Sequence, residues 1–147
     1  RLKSDGKFHH CAEDDDAESV PGLLVYRLYA PLIFANARHV MTRIRTLVAT
    51  ADPPVKWLVI DAQAIHDMDV TAAQRFAELH QELAEDGVDV KIADAPRPFL
   101  DELARVGLSE EIGRQDFFVS VKKAAEAFER KYGAGAPEAD RQPLPAP

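Results

Sequence analysis

The chain has 147 residues, and 46% of them are hydrophobic, which suits one globular domain and argues against global disorder. The formal net charge of −7 argues against nucleic acid as a partner, because nonspecific binding to phosphates needs a basic surface. No stretch approaches the roughly 20 apolar residues of a membrane-spanning helix, and the single cysteine, Cys11, excludes an internal disulfide.

Residues 1–20 have no helical or strand periodicity and change from basic to acidic along the segment. Lys3 and Lys7 come first, and a run of acids from Glu13 to Asp16 follows. This pattern predicts a flexible linker or arm, with its basic end suited to an anionic membrane surface. Because the sequence starts at Arg1 rather than methionine, we expect a processed or excised piece, and ordinary trimming of a soluble protein is the alternative.

A hairpin and a helix are predicted next. The apolar run Leu23–Leu28 has the composition of a strand. Pro31 indicates a turn, and Leu32–Phe34 is predicted to return as a second strand, so that the two form a hairpin. Asn36 is the predicted N-cap of the helix that follows. The apolar face of that helix recurs at steps of three or four residues and consists of Ala37, Val40, Met41, Ile44, Leu47 and Val48.

The centre of the chain has the pattern of a buried strand followed by a polar loop. Trp57–Ile60 is a short apolar run that stops at Asp61, as in a strand covered on both faces. His66, Asp67 and Asp69 lie in the loop. In open α/β sheets, ligands and partners act at the carboxyl ends of the strands, so this loop is the predicted functional region.

A second helix is predicted directly after this loop. Thr71 precedes Gln74 by three residues, which is the spacing of a capping box, and Asp69 is a rival cap. Gly87 lies where a left-handed residue commonly ends a helix. The apolar face of the helix consists of Ala72, Phe76, Leu79 and Leu83.

The last third of the chain alternates again between strand and helix patterns. Val88–Ala93 is a predicted strand, and the short helix that follows it ends at Gly107. Phe117–Val119 is a predicted short strand. Ser120 is the predicted N-cap of a final helix, which extends to Tyr132.

These elements predict an α/β fold in one domain, residues 21–132, with a mixed, mostly parallel central sheet of about five strands flanked by four to five helices. Alternating strands and helices imply parallel pairing with right-handed crossovers, and the hairpin adds one antiparallel pair. Residues 133–147 are rich in proline and alanine and are predicted to form a disordered tail.

Two motifs carry a resemblance to a known family. Asp69-Val70-Thr71-Ala72 lies at a predicted helix start, and residues 21–28 and 30–37 precede it in the chain. The first resembles the Asp-Ser-(Ser/Thr)-Gly motif of the STAS domain, the module shared by anti-sigma-factor antagonists and the cytoplasmic tails of SulP-type anion transporters. The upstream stretches resemble the first hairpin and helix entry of the transporter branch. The resemblance covers residues 21–132 and favours that branch.

The motif departs from the family pattern at Val70. In the antagonist branch this position is a serine that accepts phosphate, and valine has no hydroxyl. A phosphorylation switch of that kind is therefore not expected, although Thr71 keeps a hydroxyl one residue further on. Ala72 replaces the family's glycine, so a left-handed backbone is not expected there. We interpret Asp67, Asp69, Val70 and Thr71 as a regulatory docking loop.

The resemblance implies the C-terminal STAS domain of a SulP-type transporter for an anion such as sulfate or bicarbonate, on the cytoplasmic face of the inner membrane. The implied partners are the transmembrane domain of the same transporter, a second copy in a homodimer, and a cytosolic regulatory protein such as acyl carrier protein. Two alternatives stay open. One is a free-standing STAS protein that acts as a partner switch, and the other is an anion sensor at the helix N-terminus after Asp69.

The sequence contains no recognised motif for catalysis or for a cofactor. It lacks a Gly-x-Gly-x-x-Gly turn after a strand, a Gly-Lys-Ser/Thr loop and a Gly-x-Ser-x-Gly elbow. Asp61, His66, Asp67 and Asp69 form the densest group of metal-binding residue types, but their spacing does not force them to converge. We therefore expect a non-catalytic domain without a metal or cofactor.

Overall fold

The computed structural model describes residues 15–133, with side chains from Val20 onward. Its five strands form one sheet in the order β1-β2-β3-β4-β5, in which β1 is antiparallel to β2 and the other neighbours are parallel. The strands are β1 (Asp15–Val20), β2 (Leu23–Leu28), β3 (Trp57–Asp61), β4 (Asp89–Ala93) and β5 (Phe117–Phe118). The predicted mixed, mostly parallel sheet of about five strands is confirmed.

Helices cover both faces of the sheet. The core on one face is built with the first four helices, and α5 alone covers the other face. The helices are α1 (Phe34–Thr50), α2 (Val70–Glu85), α3 (Arg97–Arg105), α4 (Leu108–Glu111) and α5 (Val121–Tyr132), with a 3-10 turn at Arg114–Asp116. Consecutive parallel strands are thus joined through helices, as an alternating sequence requires.

The central strand β3 is buried along its whole length, which explains its continuous apolar sequence. Leu58 and Ile60 pack into the core beneath α1 and α2, and Val59 points to the α5 side. Trp57 also faces α5, where its ring lies 5.6 Å from that of Phe128, measured between centroids. The period of two along one strand therefore divides the core into two layers.

The predicted hairpin is wrong in its second strand. Leu32 makes only an isolated parallel bridge to Met68, and α1 already begins at Phe34. The strand that pairs with β2 is instead β1, inside the stretch predicted as a flexible arm. Two residues, Pro21 and Gly22, connect these strands, and Gly22 has a φ of 85°. The domain therefore begins at least six residues earlier than predicted, because β1 is six residues long.

The acidic sequence of β1 explains why it was missed. A strand at the edge of a sheet needs only one hydrogen-bonded neighbour, and charged residues are common there because they discourage pairing with other chains. Its sequence, DDAESV, lacks the apolar alternation on which strand prediction depends. The rest of the predicted arm, residues 1–14, and the predicted tail from residue 134 lie outside the described residues.

Candidate functional site at the carboxyl end of the sheet

The loop from residue 62 to residue 69 is held in place by backbone hydrogen bonds on two sides. Ala62 N donates to Ala93 O at 2.9 Å, which fixes the loop to the end of β4. On the other side, Leu32 N donates to Asp67 O at 2.9 Å and Asp69 N donates to Leu32 O at 3.2 Å. The β2–α1 and β3–α2 connections therefore run side by side, although 35 residues separate Phe34 from Asp69.

The Asp69 carboxylate joins the starts of two helices. Its Oδ1 accepts a hydrogen bond from Ala72 N at 2.8 Å and so caps α2. Its Oδ2 accepts from Phe34 N, also at 2.8 Å, and Phe34 is the first residue of α1. A helix start carries unpaired N–H groups and partial positive charge, which one negative side chain here satisfies for both helices.

The other residues of the docking loop have different environments. Thr71 is exposed within the first turn of α2, where Asp69 rather than Thr71 is the N-cap. Val70 is the first residue of α2 and is 47% exposed. Asp67 has an exposed side chain, while its backbone oxygen holds Leu32. Ala72 is fully buried and helical, as expected for a position without a left-handed backbone.

Two further residues, Asn36 and Ser120, were predicted to cap helices, and only Ser120 is an N-cap. Asn36 is the third residue of α1, not its N-cap as predicted. From there its Oδ1 accepts from Ile33 N at 3.0 Å and its Nδ2 donates to Pro31 O at 2.7 Å. Ser120 is the N-cap of α5, and its Oγ accepts from Lys123 N at 3.2 Å.

Asp61 is a buried structural carboxylate, only 1% exposed. Its Oδ2 accepts from Arg27 Nε at 2.5 Å, and its Oδ1 accepts from Gln63 N at 3.1 Å. Burial lowers the pKa of Arg27, but the hydrogen bonds to Asp61 and Tyr29 outweigh it and raise that pKa above its ordinary value. The pairing was missed from the sequence because it depends on the register of two parallel strands, in which Arg27 lies opposite Asp61.

The acidic residues of the loop do not converge on one point. Asp61 is buried against Arg27, whereas the side chains of His66 and Asp67 are exposed. Within residues 15–133, the structure contains no group of three or more His, Cys, Asp or Glu side chains placed to hold a metal ion. Asp69 is directed at helix N–H groups instead.

Residues 16–124 match the model of the STAS domain family. The chain belongs to this family, and its mixed sheet and the position of its motif agree with the sequence resemblance. Over residues 15–133, no helix has both the length and the apolar character needed to cross a bilayer.

The relatives of this chain include sulfate transporters. A probable sulfate transporter of Mycobacterium tuberculosis is 32% identical over 124 residues, which are 84% of this chain and 22% of that protein. The chain thus spans about a fifth of the length of that relative. The STAS domain of a SulP transporter from Vibrio cholerae has a related fold, with a TM-score of 0.61 and 23% identity over 76% of this chain and 84% of that domain.

The fold alone does not separate the two branches of the family. The anti-sigma-factor antagonist SpoIIAA, in its unphosphorylated form, gives a TM-score of 0.62 at 14% identity, over 78% of this chain and 96% of that protein. Its fold similarity is as high as that of the transporter domain. The higher sequence identity to a transporter is what distinguishes the branches.

Proposed function

We propose that this chain is the cytoplasmic STAS domain of a SulP-type anion transporter, and that it regulates or assembles the transporter through protein contacts. The observation that carries this proposal is the 32% identity to a probable sulfate transporter over 84% of the chain. The membrane-embedded part of the same transporter is the proposed main partner. A second copy and a cytosolic protein such as acyl carrier protein are further proposed contacts.

The carboxylates of the site are occupied by structural bonds, so the domain is proposed to bind a partner and to be non-catalytic. Asp69 already accepts two backbone hydrogen bonds, and Asp61 is paired with Arg27. Either carboxylate would have to give up structural bonds before it could transfer a proton or hold a cation. The docking loop, formed by Asp67, Asp69, Val70 and Thr71, is therefore proposed as a contact surface.

The same geometry disfavours an anion sensor at the start of α2. A bound anion would need the N–H groups that the Asp69 carboxylate occupies, and it would be repelled by that carboxylate. Binding of sulfate or bicarbonate by the domain is thus not part of the proposal.

The second candidate function is a free-standing partner switch, and one observation favours it. Thr71 is exposed in the first turn of α2, where a kinase can reach its hydroxyl. Mass spectrometry of the native protein, with phosphopeptide enrichment, tests this candidate. Phosphate on Thr71 in a protein of about this chain's 16.3 kDa would favour the switch over the transporter domain.

The primary experiment is an immunoblot of fractionated native cells with an antibody raised against this domain. We expect a membrane-bound band several times heavier than 16.3 kDa. The gene is then expressed with and without the coding region of this domain, and anion uptake and the amount of protein in the membrane are measured. A soluble band near the mass of this chain, or normal uptake and normal membrane level after the deletion, would contradict the proposed function.

A further inference from the structure

The large apolar side chains that are exposed in residues 20–133 all lie at the carboxyl end of the sheet. Tyr29 directly follows β2, Phe34 and Val70 begin α1 and α2, and Val119 directly follows β5, with exposed fractions of 54%, 70%, 47% and 80%. At the opposite end of the sheet, Val55 and Val88 are buried in the connections that enter β3 and β4. Exposed apolar residues gathered on one side of a domain mark a contact surface.

Phe34 and Val70 form the fixed centre of this surface. Asp69 accepts hydrogen bonds from the backbone of Phe34 and of Ala72, so one carboxylate fixes the starts of the two helices that Phe34 and Val70 begin. The bridge between Leu32 and Met68 holds the two connections together just before the helices begin. Because their backbones are already ordered, little backbone freedom is lost when a partner covers these side chains.

We infer that the surface around Phe34 and Val70 docks a cytoplasmic segment of the membrane-embedded part of the same transporter. The inference deepens the proposed function and rests on it, because it names the partner's chemistry and the residues that meet it. The segment would offer apolar side chains to Phe34 and Val70, and a lysine or arginine to the exposed Asp67.

The small area of this surface favours a partner that belongs to the same polypeptide chain. Since a large aromatic side chain buries about 150–250 Å² at most, four partly exposed side chains offer on the order of 500 Å². Stable complexes between free proteins bury about 800 Å² on each partner. A linked partner has an effective concentration in the millimolar range, so a smaller surface is enough to hold it. This argues against a second copy as the occupant.

Two observations connect the tethered partner with the membrane. The probable sulfate transporter of M. tuberculosis aligns with this chain over 22% of its length, so most of such a protein lies outside this domain. Cytoplasmic loops of membrane proteins are enriched in lysine and arginine. Asp67 is exposed three residues before Val70 and complements such a loop, whereas it would be repelled by anionic lipid headgroups.

Site-specific photo-crosslinking tests the inference directly. The full-length product of the gene is expressed in membranes with p-benzoylphenylalanine in place of Phe34, and crosslinked peptides are identified by mass spectrometry. The control carries the same group in place of Ala84, which is exposed near the other end of α2. We expect crosslinks from position 34 to a segment of the membrane-embedded part that contains lysine or arginine, and none of these from position 84. Crosslinks only to a second copy or to another protein, or equal crosslinking from both positions, would overturn the inference.

A paired set of variants separates this inference from the proposed function. Phe34→Ser with Val70→Ser removes the apolar centre, and Ala49→Ser with Ala84→Ser makes matched changes at exposed positions on the same two helices. We expect a severalfold loss of anion uptake or of membrane level in the first double variant only. If deletion of the domain lowers uptake while the Phe34 and Val70 variant behaves like its control, the docking surface is wrong and the proposed function stands. If the deletion has no effect, the proposed function itself fails.

Discussion

The two ends of the sheet are built by different means. At the amino end, turns depend on backbone conformations that suit glycine, with φ values of 85° at Gly22 and 77° at Gly87. At the carboxyl end, the connections are fixed by side chains, with Asp61 paired to Arg27 and Asp69 bonded to two helix starts. The amino end exposes mainly polar residues, whereas the exposed large apolar residues lie at the carboxyl end.

The bonding at the carboxyl end explains why we propose this loop as a contact surface rather than an active site. The carboxylates that could do chemistry are committed to holding the loops. What remains outside is a set of large apolar side chains, together with the exposed His66, Asp67 and Thr71. A surface whose backbone is already ordered can bind a partner with little loss of conformational entropy, which supports the proposed contact role.

Among variants at the two ends of the sheet, Arg27→Met should lower the free energy of unfolding the most. The variant leaves the Asp61 carboxylate buried without its charged partner, and removal of one member of a buried pair costs about 3 kcal/mol or more. The free energy of unfolding in urea, followed by the fluorescence of Trp57, the only tryptophan, measures this loss.

The control combines Arg27→Met with Asp61→Leu. It removes both charges, so we expect it to recover most of the stability, because an apolar pair of similar volume can replace a buried ion pair at little cost. Equal stability of the single and double variants would contradict the role given to this ion pair.

The next largest effect is expected for Asp69→Ala. Both α1 and α2 lose a capping oxygen, and each lost cap costs about 1 kcal/mol, so the free energy of unfolding should fall by about 2 kcal/mol. Asp69→Asn retains one acceptor oxygen and should lose less. Asp86→Ala removes an exposed acid at the opposite end of α2 and should change stability by less than about 0.5 kcal/mol. Similar losses for Asp69→Ala and Asp86→Ala would show that the two ends do not differ in this way.

The sequence predicted the architecture well because the apolar patterns of the central elements are strong. β3 and α2 begin within one or two residues of their predicted positions, since a continuous apolar run and a helical period leave few alternatives. The pattern failed at Leu32–Phe34. This apolar run looks like a strand, but Leu32 is buried against Met68 in a single bridge, and Phe34 remains exposed at the helix start.

The sequence predicted where the β3–α2 loop lies but not its hydrogen bonds, and the docking role of the loop stays a prediction. The motif located the loop, and Asp69 was one of two candidate caps for α2. Its second hydrogen bond, to Phe34 N, joins residues 35 positions apart and depends on how two connections lie in space. No local pattern contains that information. The exposure of Phe34 was missed for a different reason, because an apolar residue is by default assigned to the core.

At the amino end, Gly87→Ala should have a moderate effect. A Cβ atom at this position would meet nothing within 4 Å, so the cost comes only from the φ of 77° and should be about 1 kcal/mol. Gly87→Asn should cost less, since asparagine tolerates the left-handed region. Urea unfolding of both variants measures the difference. If alanine and asparagine were equally tolerated, backbone conformation would not be what limits this turn.

The smallest effect should be a pH dependence that arises from His80, in the carboxyl-terminal half of α2. Burial lowers the pKa of His80 from its ordinary value of 6.5, and Glu111 and Asp116 oppose this only in part. His80 Nδ1 is buried without a hydrogen-bond partner, 3.8 Å from Glu111 Oε2.

The unfolded chain therefore binds a proton at position 80 more readily than the folded chain does. The contribution of neutral His80 to stability is complete above pH 6.5 and declines as the pH falls below it, until the lower folded-state pKa is passed. Urea unfolding at a series of pH values should give a shallower decline for His80→Gln than for the wild type. His39→Gln, at an exposed position on α1, should leave the wild-type profile unchanged. Parallel profiles for His80→Gln and the wild type would mean that the carboxylates alone produce the acid response.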